Sequence, residues 1–198
     1  MQPQKIILAS QSQARIQLLK QAGLMFEILP AGADEVELKR KHSKQSAPDL
    51  AQLLATEKAL SISRDQPSEY ILGADQTLSC NGKIFNKPNS MAEASEQLQY
   101  LCGKTHQLHS AIAIVKNHTI VFEHVETAKL SMRSFSMAFL ESYLETVGLE
   151  ILNSVGCYHY EDRGIQLFDH VEGEFSTILG LPLLPLLAFF RQEGIIAT

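Results

Sequence analysis

Between Thr105 and Leu130 the chain carries two long strand-like runs, Thr105 to Val115 and Thr119 to Leu130, joined at Asn117-His118. In the first, Leu108, Ser110, Ile112 and Ile114 recur at every second position, the period of a strand with one face turned to a core. Two such runs on a short turn form an antiparallel hairpin, so the centre of the chain cannot belong to a helical bundle. The upstream sequence follows a different rhythm. Lys5 to Ala9 is a short apolar run that stops at Ser10, and Ile16, Leu18, Leu19 and Ala22 then recur at helical spacing before Gly23. Phe26 to Leu29 reads as a second strand, Asp49 to Ser63 as a helix entered at Pro48, and Tyr70 to Ala74 as a buried strand.

Further along, Asn81-Gly82 predicts a hairpin turn, and Met91 to Leu101 a helix closed by Gly103. Ser136 is placed to cap a helix through Leu144 that ends at Gly148; Ile165 to Val171 reads as a strand and Pro182 to Phe190 as a final helix. Early α/β alternation followed by a hairpin predicts an α/β fold with a mixed sheet covered by helices. No repeat, low-complexity stretch or linker divides the 198 residues, which are expected to form one domain.

Charge and cysteine content narrow the function classes. A net charge of -5 argues against a surface that coats nucleic acid, so an anionic ligand must be met by a few local cations. The run Lys39, Arg40, Lys41, Lys44, flanked by Glu35 and Glu37, reads as a solvated loop. Cys80, Cys102 and Cys157 are odd in number and widely spaced, which excludes a disulfide framework or a CxxC metal pair and suits a reducing compartment. The amino terminus lacks a signal-peptide core. The apolar stretch from Ile178 to Phe190, broken by Pro182 and Pro185, falls short of the roughly 20 residues a membrane span needs. A cytoplasmic protein with no membrane or nucleic-acid partner is expected.

Several residues can carry chemistry. Ser10 and Ser12 lie between the first strand and first helix, with Arg15 one turn in, where free N–H groups and the positive helix end favour phosphate. The same serines also serve as ordinary caps, with Arg15 solvated, and the local sequence leaves both readings open. Asp75 ends an apolar strand, the edge where open α/β sheets hold ligands, although an Asx turn explains an aspartate there equally well. Glu35, with Asp34 beside it, is a second strand-end acid. Two such carboxylates can hold Mg²⁺ against phosphates, or one can deprotonate a water. Lys58 and Lys87 would then offer compact positive charge, their alternative being solvated surface. His106 and His109, three apart on a strand, point to opposite faces and form no metal pair. Cys102 and Cys157 read as small apolar residues, and the Met and Phe positions as core.

The fragments Leu8 to Arg15 (LASQSQAR), Asp34-Glu35, Leu54 to Ala59 (LATEKA), Gly73 to Thr77 (GADQT), Asn86 to Pro88 (NKP), Cys102 to His106 (CGKTH), Val155 to Glu161 (VGCYHYE) and Gly180 to Leu183 (GLPL) occur in this order. In these the chain resembles, end to end, the Maf family of nucleoside triphosphate pyrophosphatases, often labelled septum-formation proteins. The resemblance implies an elongated, curved mixed sheet flanked by helices, with two lobes and a central cleft, often as a homodimer. It also implies cleavage of a nucleoside triphosphate to the monophosphate and pyrophosphate with a divalent cation, Mg²⁺ or Mn²⁺.

Carried over by motif, Asp75 matches the catalytic acid, Glu35 the metal-side or water-orienting carboxylate, and Arg15, Lys58 and Lys87 the triphosphate contacts, with Ser10 and Ser12 in the phosphate loop. Gln76 and Glu161 match the branch that prefers 7-methyl-GTP, whereas the dTTP/UTP branch has Thr and Gln there. The usual Ser-Pro-Arg-Arg is Ser12-Gln13-Ala14-Arg15 here, and Ala14 falls at a position linked to base selection. A nucleotide-binding regulator of septum formation with little turnover is the alternative from another class.

Overall fold

A computed structural model describes residues 5–197; the reading of the first four residues lies outside them. One seven-stranded mixed sheet runs in the order β2-β1-β3-β5-β6-β7, with β4 also on β3. Its strands are β1 (Ile6–Leu8), β2 (Glu27–Ile28), β3 (Tyr70–Cys80), β4 (Lys83–Phe85), β5 (Thr105–Lys116), β6 (Thr119–Met132) and β7 (Phe168–Glu172). The helices are α1 (Gln13–Gln21), α2 (Glu35–Lys41), α3 (Ala47–Ser63), α4 (Met91–Leu101), α5 (Met137–Val147), α6 (Phe175–Ile178) and α7 (Leu183–Gln192). Among the described residues no helix is long and apolar enough to cross a membrane.

Strand β3 is the axis. Along one edge it pairs continuously with β5, from Ile71↔Val115 to Ser79↔Gln107. Along the other it pairs with β1 only over Tyr70 to Leu72, and with β4 only over Leu78 to Cys80. A notch is left at residues 73–77, flanked by a parallel ladder on one side and a hairpin on the other.

Strand alternation divides what faces each side of this axis. Leu72 and Ala74 join Ile16, Leu19, Ile112, Leu186 and Phe190 in one core. Leu78 and Cys80 join Leu98, Leu108, Leu130, Leu140 and Tyr158 in a second. On that same face Gln76 and Ser110 fall between the two cores, so a polar belt separates two apolar lobes. The opposite face is covered by α3, whose Ala51 and Ala55 pack on Ala111 and Ala113. Gly73 makes this approach possible: a Cβ there would stand 2.0 Å from the Ala55 carbonyl oxygen.

Five local expectations are corrected. The charged stretch after Asp34 is helical: Asp34 caps the Glu37 N–H, acids fill the first turn and bases the last, and Glu37 pairs with Arg40 and Lys41. Charge placed to match the helix dipole folds this segment without an apolar stripe. Strand β3 continues six residues past Ala74, because the β5 hairpin partner extends its ladder; Asp75 is therefore mid-strand, although it lies just beyond the end of β1. The strand expected at Ile165 begins with a 3₁₀ turn, Arg163–Leu167, and only Phe168–Glu172 pairs with β6. The last helix starts at Leu183, with Pro182 as its cap, and Pro185 is tolerated in the first turn where no intrahelical N–H is needed. Met25, Met137 and Phe175 are exposed rather than core.

Candidate active site

On the α3 side of the notch, Asp75 projects from β3 and Lys58 from the buried face of α3, in register with Ala55, Ala59 and Ile62. A lysine on the sheet-facing side of a helix must find counter-charge, and Lys58 finds two. Its Nζ lies 2.5 Å from Asp75 Oδ1 and 2.9 Å from Glu35 Oε1. Glu35 is brought in by the first turn of α2, which Asp34 caps. Burial disfavours the charged form of Glu35, but the field and hydrogen bond of Lys58, with Lys39 and Lys87 behind, outweigh it and lower its pKa. The two acids and the lysine thus form one charged centre, Lys58 and Asp75 both being buried.

Lys87 makes no direct contact with this centre. It is exposed, yet partial desolvation lowers its pKa, reinforced by Arg15 and Lys58 and opposed by Glu35 and Asp75. Lys87 therefore senses Arg15, Lys58, Glu35 and Asp75 across the notch. Lys39 of α2 donates to Asn86 Oδ1 at 3.4 Å, a link across the opening that sequence reasoning missed.

At the end of β1, Ser12 caps α1 by accepting from the Arg15 N–H, and Ser10 Oγ accepts from the Ser12 N–H. Arg15 is not solvated: it is 8% exposed. Its Nε donates to Gly180 O at 2.8 Å and its Nη1 to Ala74 O at 2.9 Å and Ser10 Oγ at 3.2 Å. Burial lowers its pKa, partly offset by Asp75 and Glu35. Ala14 is half-buried in the first turn of α1.

The remaining sequence candidates fall elsewhere. Gln76 points to the face opposite Asp75, where its Nε2 donates to Ser110 Oγ and to the Thr177 and Ile178 carbonyls. Glu161 is exposed in the turn that precedes Arg163–Leu167. His106 and His109 face opposite ways, as strand geometry requires: His106 meets Tyr158, while His109 lies between Ser79 and Thr127. Among the described residues no group of three or more His, Cys, Asp or Glu is arranged to hold a metal.

The acid–lysine–acid centre at the notch of β3, sensed by Arg15 of α1, is the candidate active site. Residues 5–193 match the family described as Maf-like protein, and the chain belongs to that family. It is 47% identical over 196 residues to a nucleoside triphosphate pyrophosphatase of Nitrobacter hamburgensis, covering 99% of this chain and 97% of that one. To a 7-methyl-GTP pyrophosphatase of Brucella abortus it is 44% identical over 191 residues, 96% of each chain. Among solved structures, a HAM1 protein of Coxiella burnetii aligns with a TM-score of 0.37 and 17% identity over 65% of this chain and 73% of that one, too slight a likeness to inform the site.

Proposed function

We propose that the protein is a nucleoside triphosphate pyrophosphatase that cleaves between the α- and β-phosphorus atoms. The observation that carries this reading is the Glu35–Lys58–Asp75 centre beside a capped helix N-terminus in a chain of the Maf-like family. In this reading Asp75, paired with Lys58, takes the proton of a water that attacks the α-phosphorus. The N-terminal loop of α1 and Arg15 lie at the phosphate end, and Lys58 and Lys87 meet the charge that develops on the departing pyrophosphate.

Glu35 and Asp75 also suit a hard divalent cation such as Mg²⁺ or Mn²⁺. Two converging carboxylates are too few for a protein-only cage but match a cation whose shell is completed by water and substrate phosphates. When bound, such a cation supplies charge withdrawal from the phosphate oxygens.

For the base, 7-methyl-GTP is the preferred substrate of this reading. The Brucella relative bears that name. The exposed Glu161 carboxylate, without a hydrogen-bond partner among the described residues, can accept from a guanine N1–H and 2-amino group. It also complements the positive charge that N7-methylation places on the ring.

The test is pyrophosphate release from canonical and N7-methylated nucleoside triphosphates with Mg²⁺, with Mn²⁺ and with EDTA. Metal-dependent release, fastest from 7-methyl-GTP, is expected. Binding of nucleotides without any release would refute the enzymatic reading, and faster release from dTTP or UTP would refute the base assignment.

A further inference from the structure

Helix α2 carries three cations, Lys39, Arg40 and Lys41, and the fold treats them differently. Glu37 accepts from Arg40 twice, at 2.7 and 2.8 Å, and holds Lys41 at 3.3 Å, so both are neutralised on one side of the helix. Lys39 lies four residues after Glu35, which puts these two on the other side, facing the notch. It is half-buried, and among the described residues it has no carboxylate within ion-pair distance. Its polar contact is Asn86 Oδ1 at 3.4 Å, long for an N–H···O bond and made to a neutral amide. An ammonium has three donors, and charge-assisted bonds to phosphate oxygens are shorter and about twice as strong as bonds to neutral acceptors.

The two sides of the opening are built differently. Asn86 and Lys87 are anchored, because Gln97, buried on α4, donates to the Asn86 carbonyl at 3.1 Å, and Pro88 is buried. Helix α2 has no buried residue, and the polar contacts of its inner side are the Glu35–Lys58 ion pair and the Lys39–Asn86 bond. The Lys39 ammonium therefore stands across the opening next to the segment that carries Lys87, with its charge in reserve.

We propose that Lys39 is a further substrate-binding residue: its ammonium leaves Asn86 and takes the terminal phosphate of the triphosphate, with Lys87 on the phosphate before it. The proposal rests on the pyrophosphatase reading, which sets the α-phosphorus at Asp75 and the departing pyrophosphate at Lys87. Its consequence is that Lys39 makes the site count phosphates, favouring three over two.

Three variants test this. Lys39→Met keeps the length and removes the charge, Lys41→Met removes a charge from the outer side of the same helix, and Asn86→Ala removes the acceptor that Lys39 must give up. Affinities for inorganic tripolyphosphate and for GDP, both with Mg²⁺, are measured by calorimetry, and KM and kcat are measured on GTP and 7-methyl-GTP.

Lys39→Met should weaken tripolyphosphate and raise both KM values about tenfold, with GDP affinity and kcat changed less than about threefold. Lys41→Met should bind tripolyphosphate as the wild type does, and Asn86→Ala at least as tightly. Equal weakening of tripolyphosphate and GDP in Lys39→Met, or a fall confined to kcat, would overturn the proposal in favour of action through Glu35. Asn86→Ala as weak as Lys39→Met would overturn it in favour of a strut that merely holds α2, and Lys41→Met as weak as Lys39→Met in favour of the general field of the helix. If the wild type releases pyrophosphate from no nucleotide, the proposed function fails, and the tripolyphosphate titration still decides the Lys39 site: weaker binding in Lys39→Met alone supports it and unchanged binding refutes it.

Discussion

Acid should loosen the lobe that carries Glu161, and His106 sets the size of the effect. The imidazole is 1% exposed, its Nε2 lies 2.7 Å from Tyr158 Oη, and its Nδ1 has no hydrogen-bond partner among the described residues. Phe168 and Tyr158 flank the ring, with centroids 5.8 and 5.7 Å away. Burial without a counter-charge lowers the His106 pKa from 6.5 to about 4. The fold thus favours the neutral ring, while the unfolded chain binds a proton near pH 6.5. Stability from this group is complete above pH 6.5, declines as pH falls towards 4, and changes no further below that. At pH 4.5 the loss is about 2.5 kcal/mol relative to pH 7.5.

Urea titrations of the wild type and His106→Gln at pH 7.5, 6.0 and 4.5 isolate the effect, since every other titrating group is common to both. The variant should be less stable at pH 7.5, where it loses the fitted ring, and the gap should narrow by about 2.5 kcal/mol at pH 4.5. A gap that stays constant with pH would refute the assignment of a buried neutral imidazole.

Gly73→Ala should abolish soluble folded protein or cost more than about 3 kcal/mol in denaturant titration, because the added Cβ meets the Ala55 carbonyl and a backbone cannot step aside. Lys58→Met should raise the Glu35 pKa, whose depression depends on Lys58, and abolish turnover; carboxyl NMR titration reads the first effect, and an unmoved Glu35 resonance would contradict the ion pair. Glu161→Gln should lower the preference for 7-methyl-GTP over pyrimidine nucleotides without changing the melting temperature, and an unaltered ranking in kcat/KM would remove Glu161 from base selection.

Much of this architecture was legible because it is written in short-range pattern. Apolar period fixed β5, β6 and α4, and the Gly and Asn turns fell where expected, with Asn81 and Asn117 both at positive φ. The α2 helix was missed because its stability comes from cap and charge order, with none of its residues buried. Asp75, Glu35 and Lys58 were visible as candidates by residue type, but that one ammonium joins them depends on α3 crossing β3 at Gly73, which brings together Lys58 and Asp75, 17 residues apart. Arg15 shows the same limit. Its burial follows from Gly180, 165 residues downstream. The buried Ser110, a polar position within the apolar alternation of β5, was the one local sign of the belt to which Gln76 turns.

The central claim is that Asp75 activates water for attack at the α-phosphorus of a nucleoside triphosphate. The most direct test is to run the reaction in ¹⁸O-labelled water with Mg²⁺ and identify the labelled product for the wild type and for Asp75→Asn. The account predicts label in the nucleoside monophosphate and none in pyrophosphate, with a rate lowered at least about a hundredfold in a folded Asp75→Asn that still binds nucleotide. Label in pyrophosphate or in inorganic phosphate, or an undiminished rate in Asp75→Asn, would contradict it.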